Sequence, residues 1–499
     1  MTVADRRWWT LGWVCLALAV PLRLAFFAGF GLGDDPSESI SIHNFARTLQ
    51  LDPRDFMHYR VVNIVMRGLL YRLFSPNELA FVLPILAFAL ATHAVTVVLA
   101  GELLGARAAA LTSILFLVTP YETLASTANV PDYFHAFFGM AAVLAVVRGY
   151  RSGSAWWMGL GALAVVLALL NRLLAFLLLP AFAVGTIATP SRRRRWVPFW
   201  GMLAVLIALV CLWDFRYSGQ PFHWIVFNSA GTGGGYDVTA ILGYVLMVYP
   251  HYVFGLDDHR NRMFGFTGWC AAVGAVWALV RLMRGRAGLA EGVLVIAFFV
   301  FVGCFEFVPH KLSLTVYWSH PRIFRYLASI APVLYLCGAY CLDRLWRLRA
   351  PLGAGACAAV VAAGLYWTPR VAEPLVDANG DVRHLVRFMR AQPSDVPVYS
   401  DYWHILQVWS GVWPVPRIEN VSETTKEAKL RFLQDVPPGA LVVTGGATLP
   451  WYSNLDLIVN LSQLGFSVPP NWQLVDEYVG PRRPWRVEPL RVWRVAPAA

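Results

Sequence analysis

The feature that most constrains this chain is a rhythm. Apolar runs of roughly twenty residues recur through the first 367 positions, and short arginine-rich blocks separate them. A helix needs ~20 apolar residues to cross a bilayer core. The runs fall at 8–30, 79–100, 108–126, 132–147, 156–170, 173–188, 196–213, 264–280, 289–307, 322–342 and 351–367, which predicts eleven crossings. Composition points the same way. Hydrophobic residues make up 58% of the 499 and charged residues 14%, against about a quarter charged in a soluble globular chain. So few charges cannot clothe a water-facing surface, and the same figures exclude a disordered, collagen-like or disulfide-scaffold chain.

The net charge is +11, and almost all the cations are arginine, because Lys311, Lys426 and Lys429 are the only lysines. Cations in short blocks between apolar runs suit membrane topology and anionic headgroups, not nucleic acid. The first run follows Asp5-Arg6-Arg7 and exceeds a signal-peptide core, so it is expected to stay in place with the N-terminus cytoplasmic. Counting from there puts Arg148/Arg151, Arg192–Arg195, Arg281/Arg284/Arg286 and Arg344/Arg347/Arg349 inside. Two long loops, 31–78 and 214–262, then lie outside, with every histidine except His93 in or near outer segments. The tail also lies outside: residues 368–499 alternate short β-branched runs with helix-like stretches and predict a small α/β domain beyond a membrane domain of residues 1–367. The arginine-over-lysine, alanine-rich usage suggests a bacterial inner or plasma membrane. The seven cysteines all fall in apolar runs, so neither a disulfide framework nor a metal knuckle is expected.

The candidate chemistry lies on the outer side. Asp34, Asp35 and Glu38 follow the first helix directly, where a low dielectric can raise a carboxylate towards useful basicity. Asp35 before Pro36 would also serve as a helix cap. Asp132 opens the fourth apolar run, where an ionisable group is a functional candidate and a helix cap is the competing account. Arg322 and Arg325, near His310, Lys311 and His320, present forks that match phosphate oxygens, although headgroup snorkelling would also place arginines there. Arg60 and Arg67, seven apart on an amphipathic stretch, read as membrane-surface cations, with a catalytic role as the alternative. Glu122, Asp214 and Glu306 fall near outer helix ends.

Several of these pieces occur in a familiar order. A helix is followed by an acidic pair, a loop with amphipathic helices, an Ala-rich helix ending in Thr119-Pro120, and Ser126 to Asp132. Leu169-Leu170-Asn171-Arg172 then leads an apolar run to Pro180, and Pro321-Arg322-Ile323-Phe324-Arg325-Tyr326 precedes Pro332. Over residues 8–345 this resembles the GT-C membrane glycosyltransferases, specifically their protein O-mannosyltransferase and aminoarabinose transferase branch. The family usually has Asp-Glu in the first loop and commonly Lys at the helix-pair turn, where this chain has Asp-Asp and Asn-Arg.

The resemblance implies transfer of a sugar from a polyprenyl-phosphate donor to a hydroxyl of a glycan, lipid or protein, with inversion. Asp34 or Asp35 would be the general base and Asp132 would orient the acceptor or assist. Arg322, Arg325, Lys311 and Arg172 would grip the donor phosphate. Glu38, His43 and His259 are candidates for acceptor or metal contact; some relatives use a divalent metal ion and others none. Two competing readings are a transporter or lipid flippase, and a eukaryotic-type lipid-linked mannosyltransferase. The latter carries His-Lys-Glu before its Arg-Phe, whereas no glutamate follows Lys311 here.

Overall fold

The computed structural model describes residues 2–29, 36–51, 60–74, 78–128, 130–222, 235–237, 253–254, 263–304, 316–318, 326–393, 395–400, 418–420, 433, 435–447, 467–481 and 486–497. The first helix, α1 (Val3–Ala25), starts with a reciprocal cap in which Asp5 N–H donates to Thr2 Oγ1 at 3.1 Å and Thr2 N–H to Asp5 Oδ2 at 2.9 Å. Such a box satisfies donors that the first turn leaves open. Two amphipathic helices follow in the first loop, α2 (Pro36–Thr48) and α3 (Val61–Phe74).

The bundle continues with α4 (Glu78–Leu104), α5 (Ala106–Val118), a short α6 (Pro120–Ala125), α7 (Asp132–Ser152) and α8 (Ala155–Leu169). A 3₁₀ turn (Leu173–Leu177) leads into α9 (Leu178–Ile187), and a second (Pro190–Trp196) into α10 (Val197–Ser218). Next come α11 (Phe266–Met283), α12 (Leu289–Val295) with a π-helical continuation over Ile296–Val302, α13 (Leu327–Leu348) and the long α14 (Ala350–Arg390).

Each of the eleven predicted runs has a helical core. Six of the described helices, at 3–25, 78–104, 132–152, 190–218, 266–283 and 350–390, are long and apolar enough to cross a membrane, and four more are apolar but shorter. The shortening has local causes. Pro120 supplies no N–H, so α5 stops at Thr119 and the chain restarts as α6. α8 ends just before Asn171-Arg172, and the chain tightens there into a 3₁₀ turn.

The cations predicted inside gather at one end of the bundle. Arg148 pairs with Glu102 at 2.5 Å, Arg281 and Arg344 with Glu291 at 3.0 and 2.8 Å, and Arg107 and Arg347 with Asp343 at 2.7 Å each. Arg195 reaches the carbonyl of Tyr150 at the same end. Asp132 lies at the opposite end of α7 from Arg148.

Beyond α14 the chain forms a five-stranded sheet from β3 (Val398–Ser400), β4 (Ile418–Asn420), β5 (Leu441–Ala447), β6 (Trp472–Tyr478) and β7 (Arg486–Val495), in the order β4-β3-β5-β7-β6. The β4-β3-β5 half is parallel and the β5-β7-β6 half antiparallel. A separate two-stranded ladder, β1 (Gly235–Asp237) with β2 (Val316–Trp318), ties the second long loop to the segment before α13.

The sheet and the first loop share one hydrophobic core. Ile42, Phe45, Ile64 and Tyr71 from α2 and α3 pack with Val382, Leu385 and Met389 of α14 and with Leu441, Val443, Leu490 and Val492 of the sheet. Each element alone would leave an apolar face in water, so their association is driven by that burial.

Candidate active site

The site is assembled around the two ends of the first loop. Past α1, the N–H of Gly29 donates to Thr127 O at 2.7 Å and that of Ala28 to Thr127 Oγ1 at 3.2 Å, and Gly29 bridges Ala128 in parallel. Gly29 has φ +79°, a conformation that favours glycine. The start of the first loop is thereby fastened to the segment that runs into Asp132.

Asp132 opens α7 but does not cap it, since Pro131 occupies the N-cap position. Its carboxylate is fully buried and faces Arg172: Nε lies 3.0 Å from Oδ1, and Nη2 donates to Oδ2 at 3.4 Å. Arg172 is held extended after the end of α8, with its guanidinium over the Tyr326 ring at 5.2 Å. One turn into α7, His135 Nδ1 is 3.9 Å from Asp132 Oδ1, and His135 Nε2 lies 2.5 Å from Ser329 Oγ. Tyr326 and Ser329 begin α13, so three separated stretches meet at one buried carboxylate.

The first loop reaches the same place. Asn63 N–H donates to Asn171 Oδ1 at 3.0 Å, and Arg67 donates through Nη1 to Asn63 Oδ1 at 3.4 Å and through Nε to Phe81 O at 3.1 Å. The reading of Arg60 and Arg67 as surface cations is therefore corrected: both are buried. One face of α3, with Ile64 and Tyr71, meets α2 and the sheet core, Arg67 stacks over Phe81 at 5.1 Å, and Met66, Leu69, Leu73 and Phe74 stay exposed. A carbonyl and an aromatic face offset the loss of water around a buried guanidinium.

Of the other predicted site residues, Asp34, Asp35, Lys311, Arg322, Arg325 and His259 lie outside the described residues, as do Glu306 and the side chain of Glu38, whose backbone is in α2. His43 sits half-buried at the edge of the loop core, its Nδ1 3.3 Å from the Tyr71 hydroxyl. Burial first, and the neighbouring Arg47 second, lower its affinity for a proton below that of a free imidazole. Below about pH 6.5 the unfolded chain takes up a proton that folded His43 resists, so the stabilising contribution is complete above that pH and declines as pH falls. Replacing His43 by glutamine is expected to flatten this part of a melting-temperature-against-pH curve; an unchanged curve would contradict the assignment.

Among the described residues no group of three or more His, Cys, Asp and Glu side chains comes together to hold a metal.

A second polar cluster, missed in the sequence, lies behind the first. Glu122 of α6, read as an outer helix end, is buried and accepts from Tyr133 Oη at 2.7 Å and Tyr335 Oη at 2.8 Å. Arg23 Nη2 of α1 is 3.7 Å from Glu122 Oε2, an ion pair too long for a hydrogen bond. The Arg23 guanidinium lies 4.8 Å from the Phe116 centroid, and His93 stacks on that ring at 4.0 Å. The available signal was a charge inside an apolar run, which holds for both Arg23 and Glu122.

Residues 62–214 match the family model described as dolichyl-phosphate-mannose-protein mannosyltransferase. No curated protein matches the sequence. Among solved structures, ArnT from Cupriavidus metallidurans in the apo state superposes with a TM-score of 0.58 at 17% identity, covering 98% of this chain and 99% of that one. The same protein bound to undecaprenyl phosphate gives 0.58 at 16%, with 98% of each chain covered. The archaeal oligosaccharyltransferase AglB from Archaeoglobus fulgidus, in complex with an inhibitory peptide and a dolichol-phosphate, gives 0.50 at 14%, covering 89% of this chain and 70% of that one. The family-model match and the end-to-end superposition converge: this chain has the fold of the GT-C membrane glycosyltransferases and resembles their mannosyltransferase and ArnT branch.

Proposed function

We propose that this protein transfers a sugar from a polyprenyl-phosphate carrier to an acceptor hydroxyl at the end of the bundle opposite its arginine-rich end. The observation that carries the reading is the buried Asp132–Arg172 pair, framed by Tyr326, His135 and the first-loop residue Asn63 through Asn171. Such an arrangement suits departure of an anionic phosphate. Both oxygens of Asp132 face the guanidinium, so the acid holds Arg172 in place, and the cation meets the charge that develops on the leaving group.

In the reaction the acceptor oxygen attacks the anomeric carbon as its proton passes to Asp34 or Asp35. The new C–O bond forms on the face opposite the bond being broken, and the lipid phosphate leaves with the electron pair. Arg172, with Arg322, Arg325 and Lys311, would neutralise that phosphate. Undecaprenyl phosphate in the ArnT structure and dolichol-phosphate in the AglB complex support a polyprenyl-phosphate carrier as partner. The acceptor is a hydroxyl of a glycan, lipid or protein. The N-terminus is cytoplasmic, and a membrane domain of residues 1–367 precedes an outer domain of residues 368–499 in a bacterial inner membrane.

The test is release of polyprenyl phosphate and sugar transfer by the purified protein, using a panel of radiolabelled polyprenyl-phosphate sugars. Arg172→Gln is expected to slow transfer about 10²–10³-fold, the range for losing one preorganised charge donor. Arg172→Lys should recover part of it, because a point charge replaces the fork without its geometry. Transfer by Arg172→Gln at the wild-type rate would remove Arg172 from the mechanism.

A further inference from the structure

The neck of the first loop is clasped by a helix from the far end of the sequence. The chain enters the loop after Gly29 and leaves it at Glu78, the first residue of α4. The Glu78 carboxylate accepts from Asn379 Nδ2 at 2.8 Å on Oε1 and from Arg383 Nε at 2.8 Å on Oε2, both from α14. Arg383 also lies over the ring of Phe27, 5.5 Å from its centroid, so it touches both sides of the neck. Gly29 fits against this clasp with no room to spare. A Cβ there would fall 1.8 Å from Glu78 Oε1 and 2.3 Å from Asn379 Nδ2.

The clasp is anchored behind as well. His384, next to Arg383, lies with Nε2 2.6 Å from Asp476 Oδ2 and stacks on Tyr478, both of β6. In front, Gly29 carries the bridge to Thr127 and Ala128 that runs into Asp132. The same α14 supplies Val382, Leu385 and Met389 to the core that α2 and α3 share with the sheet.

We propose that Glu78 is a positioning residue for transfer. Clamped by Asn379 and Arg383, it fixes the neck of the first loop beside the Asp132 segment, which makes α14 and the C-terminal sheet a working part of the site. The inference rests on the transferase reading above. A charge-assisted clamp bonded on both carboxylate oxygens defines position as well as proximity, and a small displacement of a supporting element costs rate more than affinity. Carrier binding belongs to other residues, so breaking the clasp should leave it intact.

The experiment compares Glu78→Gln, Arg383→Gln and Gly29→Ala with the wild type, in full-length protein. Each is expected to lower kcat about tenfold or more, while KM for the donor and the affinity for undecaprenyl phosphate stay within about twofold. The charge swap supplies the control: Glu78→Arg and Arg383→Glu should each be slow, and the two together should recover. Wild-type kcat in Glu78→Gln and Arg383→Gln would overturn the proposal. So would a loss of kcat matched by a loss of undecaprenyl phosphate binding and not recovered by the swap, which is the pattern of a merely structural contact. If the wild type transfers sugar from no polyprenyl-phosphate donor, the transferase reading fails on its own account. Hydrogen–deuterium exchange then decides the clasp separately: faster exchange of α2 and α3 in Glu78→Gln supports it, and unchanged exchange refutes it.

Discussion

In the proposed transfer, replacing the member of the Asp34–Asp35 pair that acts as general base by asparagine is expected to lower the rate by about 10²–10⁴-fold, the usual contribution of such a base. An alcohol is a poor nucleophile until its proton leaves, and the transition state of an inverting transfer gives that proton to a carboxylate on the acceptor side. Asp132 is badly placed for this task, because both of its oxygens face Arg172. The proposed function places the base among the first-loop acids, and the Gly29–Thr127 hydrogen bond fastens the start of their loop beside the Asp132 segment. Steady-state transfer by Asp34→Asn and Asp35→Asn separates them. One should be crippled and lose the acidic limb of its pH–rate profile, while its melting temperature is unchanged. Asp132→Asn should instead act through Arg172, weakening retention of undecaprenyl phosphate. Wild-type rates in both first-loop variants would dispose of the base assignment.

The second large effect concerns stability. Glu122→Ala is expected to destabilise the detergent-solubilised protein by about 3–5 kcal/mol, the cost of leaving one member of a buried ion pair alone. The substitution strips Arg23 of its counter-charge at 1% exposure and removes the acceptor of two buried tyrosine hydroxyls. Arg23 has no ready alternative, since neither Nη1 nor Nη2 has a hydrogen-bond partner among the described residues. Joint replacement by apolar residues, Arg23→Met with Glu122→Leu, should cost less than the sum of the single losses, because no charge is left stranded. Thermal or denaturant unfolding of Glu122→Ala, and of the wild type, Arg23→Met, Glu122→Leu and their double, measures this directly. Additive losses would show that the two side chains do not interact. The cluster also bears on the site: Tyr133 adjoins Asp132, and Tyr335 shares α13 with Ser329, just after Tyr326 at its N-cap, so its loss should loosen the frame around Arg172.

Much of the architecture was legible because its signals are local. A twenty-residue apolar run announces a helix whatever surrounds it, and the arginine blocks that mark one side do gather into ion pairs at one end of the bundle, as Arg148 with Glu102 and Arg344 with Glu291 illustrate. Asp132 and Arg172 were likewise recognisable singly, as charges at the edges of apolar runs. Their partnership was not, since 40 residues separate them and nothing in either neighbourhood refers to the other. Arg60 and Arg67 misled for the same reason. An amphipathic helix looks alike whether its apolar face meets lipid or protein, and only the packing of α3 into the sheet core distinguishes the two.

The sequence by itself therefore determined the solvent this chain lives in, the helical character of its membrane part and the gathering of its cations at one end of the bundle, because hydropathy and charge act residue by residue over one helix length. The tertiary structure alone decided which charges neutralise one another: Arg23 with Glu122 across 99 positions, and Glu78 with Arg383 across 305. Burying a charge is tolerable only where an opposite charge or hydrogen-bond donor is carried to it, and that delivery is a property of the folded arrangement of helices, not of any stretch of chain.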